Sequence, residues 1–155
     1  RVHIGASGSI IKNVKSVIAL IEGIQDGTID MIATDHAPHS EEEKSRGLAD
    51  SAFGIVGMET AFPVLYTFLV KKGILSLETL IERMAIAPRR VFGIEGGYLK
   101  EGQIADLAVL DLKASGNVQP ERFLSKGRST PFAGLEVQGE NVMTFVNGKQ
   151  VYSRR

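Results

Sequence analysis

One stretch limits the fold more than any other: Ile29-Asp30-Met31-Ile32-Ala33-Thr34-Asp35-His36-Ala37-Pro38-His39-Ser40. It runs apolar and then ends abruptly in a carboxylate, two imidazoles and a proline. Parallel strands are covered on both faces, so they read as nearly continuous apolar runs. Barrel enzymes place their chemistry at the C-terminal ends of such strands. Pro38 ends regular structure and pushes Ala37 out of the helical region. Asp35, His36 and His39 are therefore expected on a rigid turn just past a strand over residues 30–34.

A helix precedes that strand. Val17, Leu20, Ile21 and Ile24 recur at helical spacing and Gly27 follows as a stop, so residues 17–25 read as a helix. Before it, Val2-His3-Ile4 reads as a strand end and Gly5-Ala6-Ser7-Gly8-Ser9 as a small, aperiodic run. After the turn, Ser40 is placed to cap a short helical turn through Glu43. Glu41-Glu42-Glu43-Lys44 reads as a solvated face. Ser51-Ala52-Phe53-Gly54-Ile55-Val56-Gly57 is an apolar loop with two readings. It is a packed connection, or its glycines let a ligand approach the backbone.

Residues 58–72 read as a helix with Phe62, Leu65, Tyr66 and Leu69 on one side, Pro63 early and Gly73 at the end. Ser76 is a good N-cap for another, striped by Leu77, Leu80, Ile81 and Met84. Ala87-Pro88-Arg89-Arg90-Val91-Phe92-Gly93 reads as a break and a short last helix. The character then changes. Residues 102–111 read as a strand after a glycine turn, and residues 117–139 as mostly irregular. Asn147-Gly148 between apolar runs is a strong hairpin signal. The expected organisation is an α/β part over residues 1–95 and a small all-β part over 96–155.

Composition narrows the chemistry. Eighteen Lys and Arg balance eighteen Asp and Glu, so nothing points to nucleic acid or a membrane surface. The chain has no cysteine, so a metal here must be held by His or carboxylate. No apolar run reaches the roughly 20 residues of a membrane span, and a cytoplasmic location is the default expectation. A sequence of 155 residues that opens at Arg1 is expected to start within a fold.

Asp35, His36 and His39 offer oxygen and nitrogen ligands that suit Zn²⁺ or Mn²⁺. A carboxylate beside such a metal can also move a proton from water to a leaving group. The same residues also read as an Asp that caps a turn with locally bonded histidines. Three histidines cannot build a two-metal site alone. There is no His-Glu-x-x-His helix, phosphate loop or nucleophile elbow.

Ala33-Thr34-Asp35-His36-Ala37-Pro38-His39 and Ser51-Ala52-Phe53-Gly54-Ile55-Val56-Gly57-Met58-Glu59-Thr60-Ala61 closely resemble the C-terminal half of bacterial class I dihydroorotases. So do Gly102-Gln103-Ile104-Ala105-Asp106-Leu107 and Lys126-Gly127-Arg128-Ser129-Thr130-Pro131-Phe132. The resemblance implies the last units of a metal-dependent (β/α)8 TIM-like barrel, followed by part of a small β-sandwich. It implies reversible hydrolysis of the cyclic amide of dihydroorotate to N-carbamoyl-aspartate in pyrimidine synthesis. Asp35 matches the aspartate that binds a metal and acts as general base, His39 the histidine that binds substrate, and Phe53 and Gly54 the loop pair that contacts the ring. His36 is expected behind the metal ligand and off the metal.

The resemblance further implies Zn²⁺, two per complete site, with one ligand in this chain, and a homodimer. The family's other ligands lie upstream of the matching region, and the stretch alone is expected to be inactive. Gly8-Ser9-Ile10-Ile11-Lys12 stands where an Asn-Pro-Pro-Leu-Arg-like run binds substrate in the family, and Gly5 stands where a histidine would follow His3. Two alternatives remain: another cyclic amidase such as hydantoinase or allantoinase, and a non-catalytic dihydroorotase-like scaffold of aspartate transcarbamoylase.

Overall fold

The computed structural model describes residues 3–4 and 14–154, and the readings of Gly5–Ser9 and Gly8–Lys12 lie outside them. Strand β1 (His3–Ile4) pairs in parallel with β2 (Met31–Ile32), His3 beside Met31 and Ile4 beside Ile32. Among the described residues the ladder holds two pairs, shorter than the expected 30–34, and the chain turns at Asp35 with a φ of +48°. Helix α1 (Val14–Asp26) precedes β2 and starts earlier than expected. At its end the Asp26 carboxylate accepts the Thr28 N–H at 2.8 Å, which holds that carboxyl below its ordinary range. The Ile29 N–H then returns to the Gly23 carbonyl at 2.8 Å. This closed turn folds Ile29 onto Ile24, where both join Leu75 in the core.

Beyond the Asp35 turn come three short helices, α2 (Glu41–Lys44), α3 (Gly47–Asp50) and α4 (Met58–Leu65). Helix α4 runs into a π turn over Tyr66–Val70, closed by the Lys71 N–H on the Tyr66 carbonyl at 2.9 Å. A second π turn, Glu82–Ile86, joins α5 (Leu77–Ile81) to α6 (Ala87–Phe92). The chain thus stays helical where a break was expected. Pro88 lies at the joint between this π turn and α6, and the wider π turn before it leaves room for the ring.

The C-terminal sheet is antiparallel, in the order β3 (Leu107–Asn117), β4 (Glu136–Val146), β5 (Lys149–Ser153). Asn147 and Gly148 both take positive φ, +49° and +74°, as a tight hairpin turn of matching twist requires. β3 starts five residues later than residue 102, since Gly102 (φ +80°) and a turn through Asp106 come first. It also runs on to Asn117, with a bulge over residues 112–114 whose amides at Lys113 and Ala114 turn to the Asp111 carboxylate.

Gly139 joins sheet to helices. Its φ is +85°, and a Cβ there would lie 2.9 Å from both the Phe62 and Tyr66 rings, which stack at 5.6 Å. Beside it, the Thr67 hydroxyl accepts the Gln138 N–H at 2.7 Å and donates to the Pro63 carbonyl at 2.6 Å. Asp106 ties the far end, accepting the Asn147 N–H at 2.9 Å and facing Arg89 at 3.7 Å. Among the described residues, no helix is long and apolar enough to cross a membrane.

Candidate functional site

The chain leaves β2 at Ile32 and reverses at Asp35, in left-handed backbone that costs a non-glycine residue about 1–2 kcal/mol. Aspartate tolerates this better than a branched residue. Its carboxylate is exposed and bonds to no other described residue. A free carboxylate on a strained turn at a strand's end is available to a ligand.

His36 faces the other way. Its Nδ1 accepts the Gly57 N–H at 3.1 Å and the Met58 N–H at 3.3 Å. These amides open helix α4, which has no side-chain cap of its own at Gly57. An Nδ1 that accepts carries no proton, so the neutral ring bears its proton on Nε2. The backbone follows suit: His36 and Ile55 bridge in parallel, and the Ala37 N–H meets the Ile55 carbonyl at 2.9 Å. The turn and the following loop are thus stitched edge to edge.

His39 Nδ1 lies 3.6 Å from the Glu43 carboxylate. Ser40 and Glu43 form a full capping box: the Ser40 N–H reaches Glu43 Oε2 at 2.9 Å, and the Glu43 N–H reaches Ser40 Oγ at 3.2 Å. The Ser40 N–H, then the Ser40 hydroxyl and the nearby His39, hold the Glu43 carboxyl below the usual range. Next to it, Lys44 Nζ donates to the Ala52 carbonyl at 2.8 Å and the Gly54 carbonyl at 3.0 Å. Residues 41–44 are therefore not a plain solvated face. Glu41 and Glu42 point to solvent, while Glu43 and Lys44 hold the site together.

Gly54 must be glycine. Its φ is +133°, and a Cβ would lie 2.7 Å from both Cβ and the carbonyl oxygen of Ala37, and 3.1 Å from His39. The loop therefore packs directly on the Asp35–His39 turn. Phe53, beside it, is 86% exposed.

The Lys126–Phe132 motif lies underneath. Gly127 is buried, and a Cβ there would be 2.8 Å from Pro38 and 3.0 Å from Val56. The Val56 N–H bonds the Ser129 carbonyl at 2.9 Å. Glu59 accepts the Leu124 and Ser125 N–H groups at 2.9 and 3.0 Å. The structure thus gathers Asp35, His39, Phe53 and Gly54 on one turn and one loop. Sequence reasoning missed Lys44, Glu59 and Gly127 as their supports. The capping-box spacing found Glu43, but no local signal marks the others.

Among the described residues, no three His, Asp or Glu side chains converge as a metal site would require. One open carboxylate is one ligand, and a catalytic metal takes about three from protein. Asp35 fits as a contributor to a metal centre, but these residues do not hold a metal by themselves.

Residues 8–151 match the profile of the amidohydrolase family. Over 136 residues the chain is 57% identical to the dihydroorotases of Bacillus thuringiensis (strain Al Hakam) and Bacillus anthracis (strain A0248). That covers 88% of this chain and 32% of each relative, so the chain spans about a third of their length. Among solved structures it is similar to the L-hydantoinase (dihydropyrimidinase) from Arthrobacter aurescens, with a TM-score of 0.84 and 36% identity over 94% of this chain and 34% of that one. A D-hydantoinase (dihydropyrimidinase) from Thermus sp. matches with a TM-score of 0.79 and 26% identity over 88% of this chain and 31% of that one.

Proposed function

The chain belongs to the amidohydrolase family, and from that membership we propose that it carries part of the active site of a dihydroorotase. The enzyme reversibly hydrolyses the cyclic amide of dihydroorotate to N-carbamoyl-aspartate. The observation that carries this reading is the 57% identity to Bacillus dihydroorotases, which spans the Asp35–His39 turn and the Phe53–Gly54 loop. In this reading β2 is the last strand of a (β/α)8 barrel within residues 1–95, and residues 96–155 are the C-terminal share of a β-sandwich.

Asp35 serves as a metal ligand and proton carrier. A carboxylate with open lone pairs at a strand's end accepts a proton from the attacking water and returns it to the departing ring nitrogen. His39 binds the substrate carboxylate, and the backbone at Phe53 and Gly54 contacts the ring. The family generally depends on metal ions, and Zn²⁺, two per complete site, suits an oxygen and nitrogen ligand set without thiolates. The remaining ligands come from outside the described residues. A homodimer, a cytoplasmic location and an association with aspartate transcarbamoylase complete the proposal.

Hydantoinase activity is the second reading, favoured by the 36% identity to the Arthrobacter enzyme. The test is turnover of dihydroorotate, hydantoin and dihydrouracil by the intact enzyme and its variants. Asp35→Asn is expected to lower kcat by about 10²–10⁴-fold, the usual worth of a positioned acid–base group, with the fold retained. His39→Ala is expected to raise KM for dihydroorotate alone. Preferred turnover of the rings that lack a carboxylate would replace this reading with the second.

A further inference from the structure

Between the turn that carries Asp35 and His39 and the loop that carries Phe53 and Gly54 lies a helix of four residues, Glu41–Lys44. Its last residue makes contacts that no surface lysine needs. Lys44 Nζ donates to the carbonyls of Ala52 and Gly54, on either side of Phe53. The Lys44 carbonyl takes the Ser51 hydroxyl at 2.9 Å, and the Glu43 carbonyl takes the Ala52 N–H at 3.0 Å. Lys44 is partly buried, whereas Phe53 stands out into solvent.

An ammonium between two carbonyls fixes where those carbonyls point. Peptide planes are rigid, so fixing the carbonyl of Ala52 also fixes the N–H of Phe53, and fixing that of Gly54 fixes the N–H of Ile55. Gly54 has an unusual φ and cannot hold this shape by intrinsic preference alone. The segment has no hydrophobic anchor at Phe53 either. We propose that Lys44 is a positioning residue for the ring-binding step: it clamps the 52–54 loop in the shape in which its backbone meets substrate.

The proposal rests on the ring-contact role given above to Phe53 and Gly54. Its chemistry is conformational. A loop that visits its binding shape a tenth of the time weakens apparent affinity about tenfold, without altering the reacting groups. Lys44 therefore governs KM, while Asp35 governs kcat.

The test is Lys44→Met in the intact enzyme, which keeps the stem and removes the ammonium, with Lys44→Arg as the conservative partner. Two readouts are taken. Hydrogen exchange at residues 52–57 reports the loop without reference to any substrate, and steady-state kinetics reports KM and kcat for the ring. The expected result is faster exchange confined to that loop, KM raised about tenfold with kcat within about twofold, and partial recovery in Lys44→Arg. Unaltered exchange overturns the clamp, whichever substrate the enzyme takes. Faster exchange with unaltered KM overturns the role in binding. Failure of the wild-type enzyme to turn over dihydroorotate would count against the functional reading, and the exchange result would still decide the clamp.

Discussion

β1 and β2 share two residue pairs, whereas β3, β4 and β5 share long ladders interrupted by bulges. Burial runs the opposite way. Ile24, Ile29, Met31, Leu75 and Leu80 are buried around the short parallel pair, while Val109, Val146 and Val151 on the long strands remain exposed. The antiparallel sheet is built by hairpin chemistry that neighbouring residues supply. The parallel pair depends on helices laid over it. Its polar chemistry sits just past the end of β2, on the turn at Asp35, whose carboxylate is exposed.

The sharpest way to break this comparison is to truncate one apolar side chain in each region. Leu80 is fully buried beneath the helices, so Leu80→Ala is expected to lower the unfolding free energy by about 2–5 kcal/mol in denaturant titrations. Val109, 38% exposed on β3, should cost under about 1 kcal/mol when cut to alanine. Equal losses would show that the two regions share one mode of support.

A smaller effect is expected at the joint between them. Gly139→Ala places a methyl group against the Phe62 and Tyr66 rings at a positive φ, for a loss of about 1–3 kcal/mol by thermal melting. No shift in melting temperature would mean that the sheet and the helices are not packed in this register.

The smallest effect is a pH dependence confined to the α/β region. Glu43 titrates below its ordinary value near 4.5 in the folded protein, chiefly because the Ser40 N–H bonds the ionised form. Its contribution is therefore complete above that value and is lost as pH falls toward the lowered one. Glu43→Gln keeps the cap but removes the charge. Wild type should exceed the variant in stability well above pH 4.5 and lose that advantage as pH falls below it. A difference that stays constant across that range would remove Glu43 from the acid response.

What the sequence made legible was local. The Asn147-Gly148 turn, the Ser76 cap and the Ser40–Glu43 box each depend on residues within four positions, and all three stand in the structure. The π turns were not legible, because an apolar stripe has nearly the same spacing whether one residue is inserted or not. The early end of β2 was hidden for a related reason: an apolar run states what is covered, not where pairing stops. Lys44 looked like solvent-facing charge because its partners lie 8 and 10 residues away, and His36 reaches an amide 21 residues on. The motif around Asp35 was plain in sequence, but its scaffolding is not written beside it.

The cover that Gly127, Ser129 and Leu124 place on Pro38, Val56 and Glu59 also has a consequence in time. Glu59 and Leu124 are 65 residues apart in the chain. A ribosome adds about 5–20 residues per second, so the Pro38 turn is made roughly 4–18 s before Gly127. During that interval the side of the turn that Gly127 covers stays open. A translational pause within residues 60–120 would lengthen that exposure and lower the yield of folded protein without altering a single amino acid.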